Sequence, residues 1–324
     1  MAEFAPGLVT LFGGSGFVGS QAVRALAKRG WRIRVAVRKP TSAIEIQPLG
    51  DPGQIQLMHC DVTKPEQVAQ AVRGATAVVN LVGVLHDAGG ARGFEALHVT
   101  AARTIAEAAK AAGVQRLVQI SAIGADADSP AAYGRSKAQA EAAVRAVYAD
   151  AVILRPSLVF GAGDGFLNRF AAMATIAPAL PLFGGGHTRF QPVYVGDVAE
   201  AIARAVTRHD AAGRTYELGG PAVYSFEEVL KLVLRETGRS RALLPVPFPI
   251  ARALGSALEL TGLVGLTPPL TRDQVLMLER DNVVAEGVDG LAALDIQPTG
   301  VEAIAPSYLW RYRKGGQFAE APAL

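Results

Sequence analysis

The stretch that most constrains this chain runs from Leu8 to Arg38. A short apolar run, Leu8 to Phe12, is followed by glycines at 13, 14, 16 and 19. A helical pattern comes next, with Val18, Ala22, Ala25 and Leu26 on one face. Gly30 sits where that helix would stop, because glycine takes the left-handed conformation of a helix end at little cost. A second apolar run, Ile33 to Val37, follows at once. Strand, glycine-rich turn, helix, strand is the order of a dinucleotide-binding βαβ unit. Gly13 allows the tight turn off the strand, Gly16 lets backbone approach a pyrophosphate, and Gly19 lets helix and strand pack closely. With Gly14, Ser15 and Phe17 these make a candidate phosphate loop. It lies at a helix N-terminus, whose unpaired N–H groups favour an anion.

An NAD-binding unit carries an acidic residue about 20 residues further on, which holds the ribose 2′-hydroxyl. Here the second strand ends in Arg38 and Lys39. Cations at that place suit a 2′-phosphate, so NADP(H) is the expected cofactor, with NAD(H) as the alternative.

The chain has 324 residues, room for one large or two modest domains with a sizeable core. Half are hydrophobic and 19% are charged, which argues against disorder. A net charge of +3, with no compact basic patch before the C-terminus, gives no reason to expect a nucleic-acid partner. The five histidines lack metal-ligand spacing, so no metal is expected. The single cysteine, Cys60, reads as a core residue and fits a reducing compartment. The first strand starts at about residue 8, which leaves no room for a targeting segment, and the expected location is cytoplasmic.

Beyond Arg38, strands and helices alternate. Thr41 to Leu49 reads as a short helix or loop, and Ile55 to Met58 as a third strand leading to Cys60 and Asp61. Thr63 reads as the cap of a helix with Pro65 in its first turn. Ala77 to Leu81 is a buried fourth strand that carries Asn80 and leads to Gly83. Phe94 to Ala112 is a helix, and Val114 to Ile120 a fifth strand ending at Ser121. Ala131 to Tyr148 is a helix carrying Tyr133 and Lys137, and Ala151 to Leu154 a sixth strand before Arg155-Pro156-Ser157. This alternation predicts an α/β fold, a Rossmann-type doubly wound parallel sheet with right-handed crossovers.

From about residue 160 the rhythm gives way to glycine-marked loops. Residues 1–160 are expected to form the NADP(H)-binding domain, with 191–207 returning to it. Residues 161–190 and 208–324 then form a smaller, mostly helical region for substrate or docking. Ser225 and Glu228 make a capping box for a helix from Phe226 to Thr237. From Ala253 to Thr271 the only charge is Glu259, but Gly262, Gly265 and Pro268-Pro269 argue against a membrane span. Arg252, Ser256 and Glu259 face one way there, and Ile250, Leu254 and Leu258 the other, an amphipathic helix that packs into a core or lies against a membrane or a partner.

The segment Tyr133-Gly134-Arg135-Ser136-Lys137 is Y-x-x-x-K. On a helix, i and i+4 share a face. An ammonium beside a phenol favours the phenolate, and a phenol so tuned can exchange a proton with a substrate hydroxyl. Ser121, at the carboxyl end of a strand, is placed to hold a substrate oxygen.

The G-x-x-G-x-x-G spacing, Ser121 and Y-x-x-x-K together resemble the extended short-chain dehydrogenase/reductase superfamily. The resemblance implies a catalytic set of Ser121, Tyr133 and Lys137. It implies an adenine contact at Asp61 and Val62, and a strand end beside the cofactor at Asn80 and Gly83. It also places Pro156 and Ser157 in the loop on the nicotinamide side. In that superfamily the helix after the fourth strand often supplies an asparagine to the proton relay. The corresponding run here, Leu97-His98-Val99-Thr100, has His98 and no asparagine.

A longer resemblance runs through V-T-L-F-G-G-S-G-F-V-G, Y-G-R-S-K-A-Q-A-E, L-R-P-S-L-V-F-G, F-L-N-R-F-A, Q-P-V-Y-V-G-D-V-A and L-T-R-D-Q-V. It is to the nucleotide-binding accessory subunit of respiratory complex I. It implies a tightly bound, structural NADPH remote from the redox chain, with complex I subunits as partners. It also implies a peripheral position, in a bacterium on the cytoplasmic face of the inner membrane. The other reading is a free NAD(P)-dependent oxidoreductase or epimerase/dehydratase that works through Ser121, Tyr133 and Lys137 on a small hydroxyl or keto substrate.

Overall fold

Uninterrupted apolar runs become the buried strands of a parallel sheet. The computed structural model describes residues 3–264 and 268–318. Its first six strands are β1 (Leu8–Phe12), β2 (Arg32–Val37), β3 (Ile55–His59), β4 (Ala77–Asn80), β5 (Arg116–Ile120) and β6 (Val152–Pro156), and a seventh, β7 (Thr215–Leu218), arrives from much later in the chain. Their order across the sheet is β7-β6-β5-β4-β1-β2-β3, every neighbour parallel. The order reverses between β1 and β4, the switch point outside which such sheets bind ligands.

Helices cover both faces. On one side α1 (Phe17–Ala27) packs against α5 (Val195–Thr207). On the other lie α2 (Pro65–Val72), α3 (Ala101–Ala111) and α4 (Ala132–Val147). The alanines Ala102, Ala106, Ala109 and Ala140 let these helices settle closely over Val78 and Leu117. A half-buried ion triad ties α4 to the sheet: Arg155 on β6 forms two bonds to Glu141, at 2.9 and 2.7 Å, and reaches Glu217 on β7 at 3.4 Å. Glu217 also accepts from the N–H of Ala285 at 2.9 Å.

Three sequence expectations need correction here. The helix expected from Phe94 to Ala112 is in two parts, a π-turn over Glu95–Thr100 and then α3. The cap of α2 is Lys64, not Thr63, because the Thr63 hydroxyl is drawn back to Asp61 at 2.8 Å. The first of two compact units comprises Met1–Pro156, Val195–Leu218 and Ala285–Gln297, so β7 and a third returning segment belong with the first six strands rather than with the C-terminal region.

The second unit comprises Ser157–Tyr194, Gly219–Val284 and Pro298–Leu324. Three two-stranded pairings and several helices enclose an aromatic core of Phe160, Phe170, Phe190, Phe226 and Tyr308. The Ser225–Glu228 capping box opens the helix Phe226–Glu236. The amphipathic segment is the helix Phe248–Glu259, but it turns Ala251 and Gly255 inward. Ile250 and Leu254 stay 55% and 48% exposed, so of the two expectations for this helix the row faces outward. Gly265 lies outside the described residues.

The β1–α1 junction separates folding from binding. A Cβ on Gly19 would lie 2.3 Å from the Gly13 carbonyl oxygen, whereas on Gly16 its nearest neighbour is at 3.4 Å. Gly19→Ala should therefore destabilise the protein by about 2 kcal/mol or more in chemical denaturation. Gly16→Ala should cost less, about 0.5 to 1 kcal/mol: nothing obstructs the new methyl, and the loss is that of a better helix-cap residue. Equal losses for the two would show that close packing at Gly19 is not what the loop requires.

Candidate functional site

The phosphate loop is built from backbone alone. Gly13 has φ +80°, and its carbonyl accepts from the N–H of Gly16 at 3.1 Å. Gly16 is the cap of α1, with no side-chain cap bond and no acid in the first turn. The first N–H groups of the helix are thus left for an anion. A Cβ on Gly13 would come within 3.1 to 3.3 Å of the Leu81–Val82 backbone, so this turn lies against the exit of β4.

The neighbouring strand ends carry the charges. Arg38 and Lys39 are exposed at the end of β2 and form no salt bridge among the described residues. At the end of β3, one Asp61 oxygen accepts from the Thr63 N–H and hydroxyl, at 3.0 and 2.8 Å. Those bonds, with Arg38 and Lys64 nearby, hold its carboxyl below the usual range. Val62 is buried with the α2–α3 core, so its side chain serves packing. The Asn80 amide is also spent internally. It donates to Gln119 at 2.8 Å, its register partner on β5, and accepts from the Val82 N–H at 3.0 Å. Asn80 therefore shapes the loop toward Gly83.

Ser121 sits just past β5, its N–H bonded to the Leu154 carbonyl at 2.7 Å. Its hydroxyl is buried and has no partner. An unsatisfied buried hydroxyl at a strand's carboxyl end is a place where a ligand oxygen would restore a lost hydrogen bond. Gly134 lets α4 begin tightly against the preceding loop, because a Cβ there would lie 2.7 Å from the Ser129 Oγ and 2.8 Å from the Gly124 oxygen. Tyr133 and Lys137 follow on one face. The Lys137 Nζ lies 5.6 Å from the Tyr133 ring centroid, and a Cβ on Gly83 would be 3.2 Å from that nitrogen. Gly83 and Lys137 are therefore brought together across β4 and α4.

Burial, not charge pairing, decides the titration of this pair. It pushes the Tyr133 phenol up to about 12 and Lys137 down to about 8, the second against an opposing pull from Glu141 one turn on. This corrects the expectation that the ammonium lowers the phenol: the cation sits over the ring face, and desolvation of the phenolate outweighs it. Tyr133 therefore keeps its proton at neutral pH.

In the loop expected on the nicotinamide side, Pro156 ends β6 and is buried. The Ser157 hydroxyl donates toward Asn282, with its carbonyl and side-chain oxygens at 2.9 and 2.7 Å, and is occupied within the protein. Asn282, Gln119 and Ser136 escaped the sequence reading. Gln119 could have been found from strand register, but the other two are placed by tertiary packing alone.

These features fit a nicotinamide dinucleotide: an uncapped helix start behind glycines, cations at the second strand end, and an orphaned hydroxyl. The profile of the NAD dependent epimerase/dehydratase family matches residues 9–219.

The chain belongs to that family.

It is also 35% identical over 309 residues to the mitochondrial NADH dehydrogenase [ubiquinone] 1 alpha subcomplex subunit 9 of Rattus norvegicus, covering 94% of this chain and 80% of the relative. It is 30% identical over 270 residues to the ceramide reductase of Caulobacter vibrioides, with 83% and 82% covered. Among solved structures, the Citrobacter sp. triphenylmethane reductase complexed with NADP(H) shares the fold at TM-score 0.70 and 18% identity, with 91% of this chain and 97% of that one covered. Family membership supports the binding of a nicotinamide cofactor.

Lys137 makes stability depend on pH. Folding lowers its pKa from 10.5 to about 8, so in that interval the unfolded chain binds more protons and stability rises with pH. Relative to Lys137→Met, the unaltered protein should gain about 2 kcal/mol across that range in denaturant midpoints. A difference that does not change with pH would place the ammonium in contact with solvent.

Proposed function

We propose that this protein is an NADP(H)-binding accessory subunit of respiratory complex I whose role is structural and assembly-related. One observation carries this. The likeness to the complex I subunit runs through 94% of the chain, past residue 219, where the family profile ends. The resemblance is thus to the whole protein, including the second unit. When bound, the cofactor would supply hydride chemistry. The chain's own residues would bind and orient it: the Gly13–Gly19 loop at the pyrophosphate, Arg38 and Lys39 at the 2′-phosphate, and Lys137 at the nicotinamide ribose.

The second unit offers a face for a neighbouring subunit. Leu244, Ile250, Leu254 and Leu260 are 55%, 55%, 48% and 63% exposed, while the charges among them turn away. Glu259 accepts from the Arg272 N–H at 2.8 Å, and Arg252 reaches Glu279 at 3.6 Å. No helix among the described residues is long and apolar enough to cross a membrane. The proposed location is peripheral, on the cytoplasmic face of the bacterial inner membrane. Arg311, Arg313 and Lys314 would meet anionic head groups there, worth about 1 kcal/mol per cation.

A second reading, a free NAD(P)-dependent oxidoreductase, is favoured by the 30% identity to a ceramide reductase and by the presence of Ser121, Tyr133 and Lys137.

NADPH should bind at least about tenfold more tightly than NADH, because cations and no carboxylate end β2, and Arg38→Asp should narrow or invert that preference. Equal dissociation constants in the unaltered protein would refute the NADP(H) assignment. A deletion strain tests the function itself. Complex I abundance on native gels should fall, and the tagged protein should comigrate with the complex. Normal assembly with the tagged protein free in the soluble fraction would establish the free-enzyme reading.

A further inference from the structure

The π-turn Glu95–Thr100 carries His98, which is 2% exposed and lies between two functional segments. Its Nε2 accepts from the N–H of Val84 at 2.9 Å, in the loop that follows β4. Its Nδ1 is 2.8 Å from the Ser136 Oγ, on the helix of Tyr133 and Lys137. Ser136 itself donates to the Tyr133 carbonyl at 2.8 Å. Two independent facts fix the tautomer. A backbone N–H can only donate, so Nε2 is bare. The single Ser136 proton goes to Tyr133, so Nδ1 must carry the hydrogen that Ser136 accepts. The imidazole also stacks on Phe94 at 5.0 Å and meets the Tyr133 ring edge-on at 5.6 Å. The extra residue of a π-turn re-aims a side chain, and here it lets one histidine span both segments.

We infer that His98 is a positioning residue, a neutral clasp that joins the Gly83–Val84 backbone to the start of α4 and so preassembles the nicotinamide half of the site before any cofactor arrives. Both ring nitrogens are consumed within the protein, so His98 neither gives nor takes a proton in turnover. Lys137, Asp87 and Tyr133 are the ionisable groups that face it. Burial, reinforced by the Lys137 ammonium, holds its pKa down at about 3, which keeps the clasp closed throughout the physiological range. The inference rests on the nucleotide-site reading, but it can be measured in the free protein, apart from any complex.

The test uses full-length protein with 15N-labelled histidine, with and without NADPH. The expected result is the Nδ1–H tautomer in both states, with no titration between about pH 5 and 9. Hydrogen exchange at the Val84 amide should be at least about tenfold faster in His98→Phe, and NADPH release faster by a similar factor. His98→Gln, which keeps an acceptor for that N–H, should restore both. An Nε2–H tautomer, a midpoint inside that pH range, or unchanged Val84 exchange in His98→Phe would overturn the inference. If His98→Phe does not fold, the tautomer and titration of the unaltered protein decide alone.

Discussion

The close backbone contact between Gly19 and the Gly13–Gly14 turn is the constraint on which the rest of the nucleotide unit depends. It lets α1 start directly behind β1, which leaves the helix without a side-chain cap and aims its free N–H groups at the switch point of the sheet. Around that point stand the exposed cations at the end of β2 and the buried, unpartnered hydroxyl of Ser121 past β5. The same turn lies against the Leu81–Val82 backbone, so the exit of β4 is set by it as well.

Around Tyr133, Lys137 and His98, desolvation governs. It keeps Tyr133 protonated, weakens the hold of Lys137 on its proton, and holds His98 neutral. A buried pair with Lys137 over the phenol ring and a histidine whose nitrogens are both spent is a rigid environment more than a proton-shuttling one. This accords with a site that keeps its nucleotide. The outward apolar row of the helix Phe248–Glu259 points the same way, since a free enzyme gains nothing from leaving Ile250 and Leu254 in water.

Much of the fold was legible because local patterns and tertiary structure agree. Each of the first six strands lies within a few residues of its apolar run, and the Ser225–Glu228 box caps its helix. What could not be read depends on distant partners. The return of β7 is fixed by pairing with β6, which Tyr216 and Leu218 do not advertise. The π-turn at His98 arises from bonds to Val84 and Ser136, residues far away in sequence. At the site, spacing identified Tyr133 and Lys137 but gave the wrong direction for the phenol, because a sequence shows which charges are near and not how dry their surroundings are. Asp61, Asn80 and Ser157 were expected near a ligand from their positions, yet their side chains are partly or wholly committed to Thr63, Gln119 and Asn282.

The central proposal is that this protein holds a nicotinamide nucleotide as a structural part of an assembly. The most direct measurement is the nucleotide extracted from complex I purified from native membranes, before and after NADH-driven ubiquinone reduction. A stoichiometric amount of NADPH, still reduced after many turnovers, is the expected result. A complex without NADPH, or NADPH that is oxidised at the rate of turnover, would contradict it.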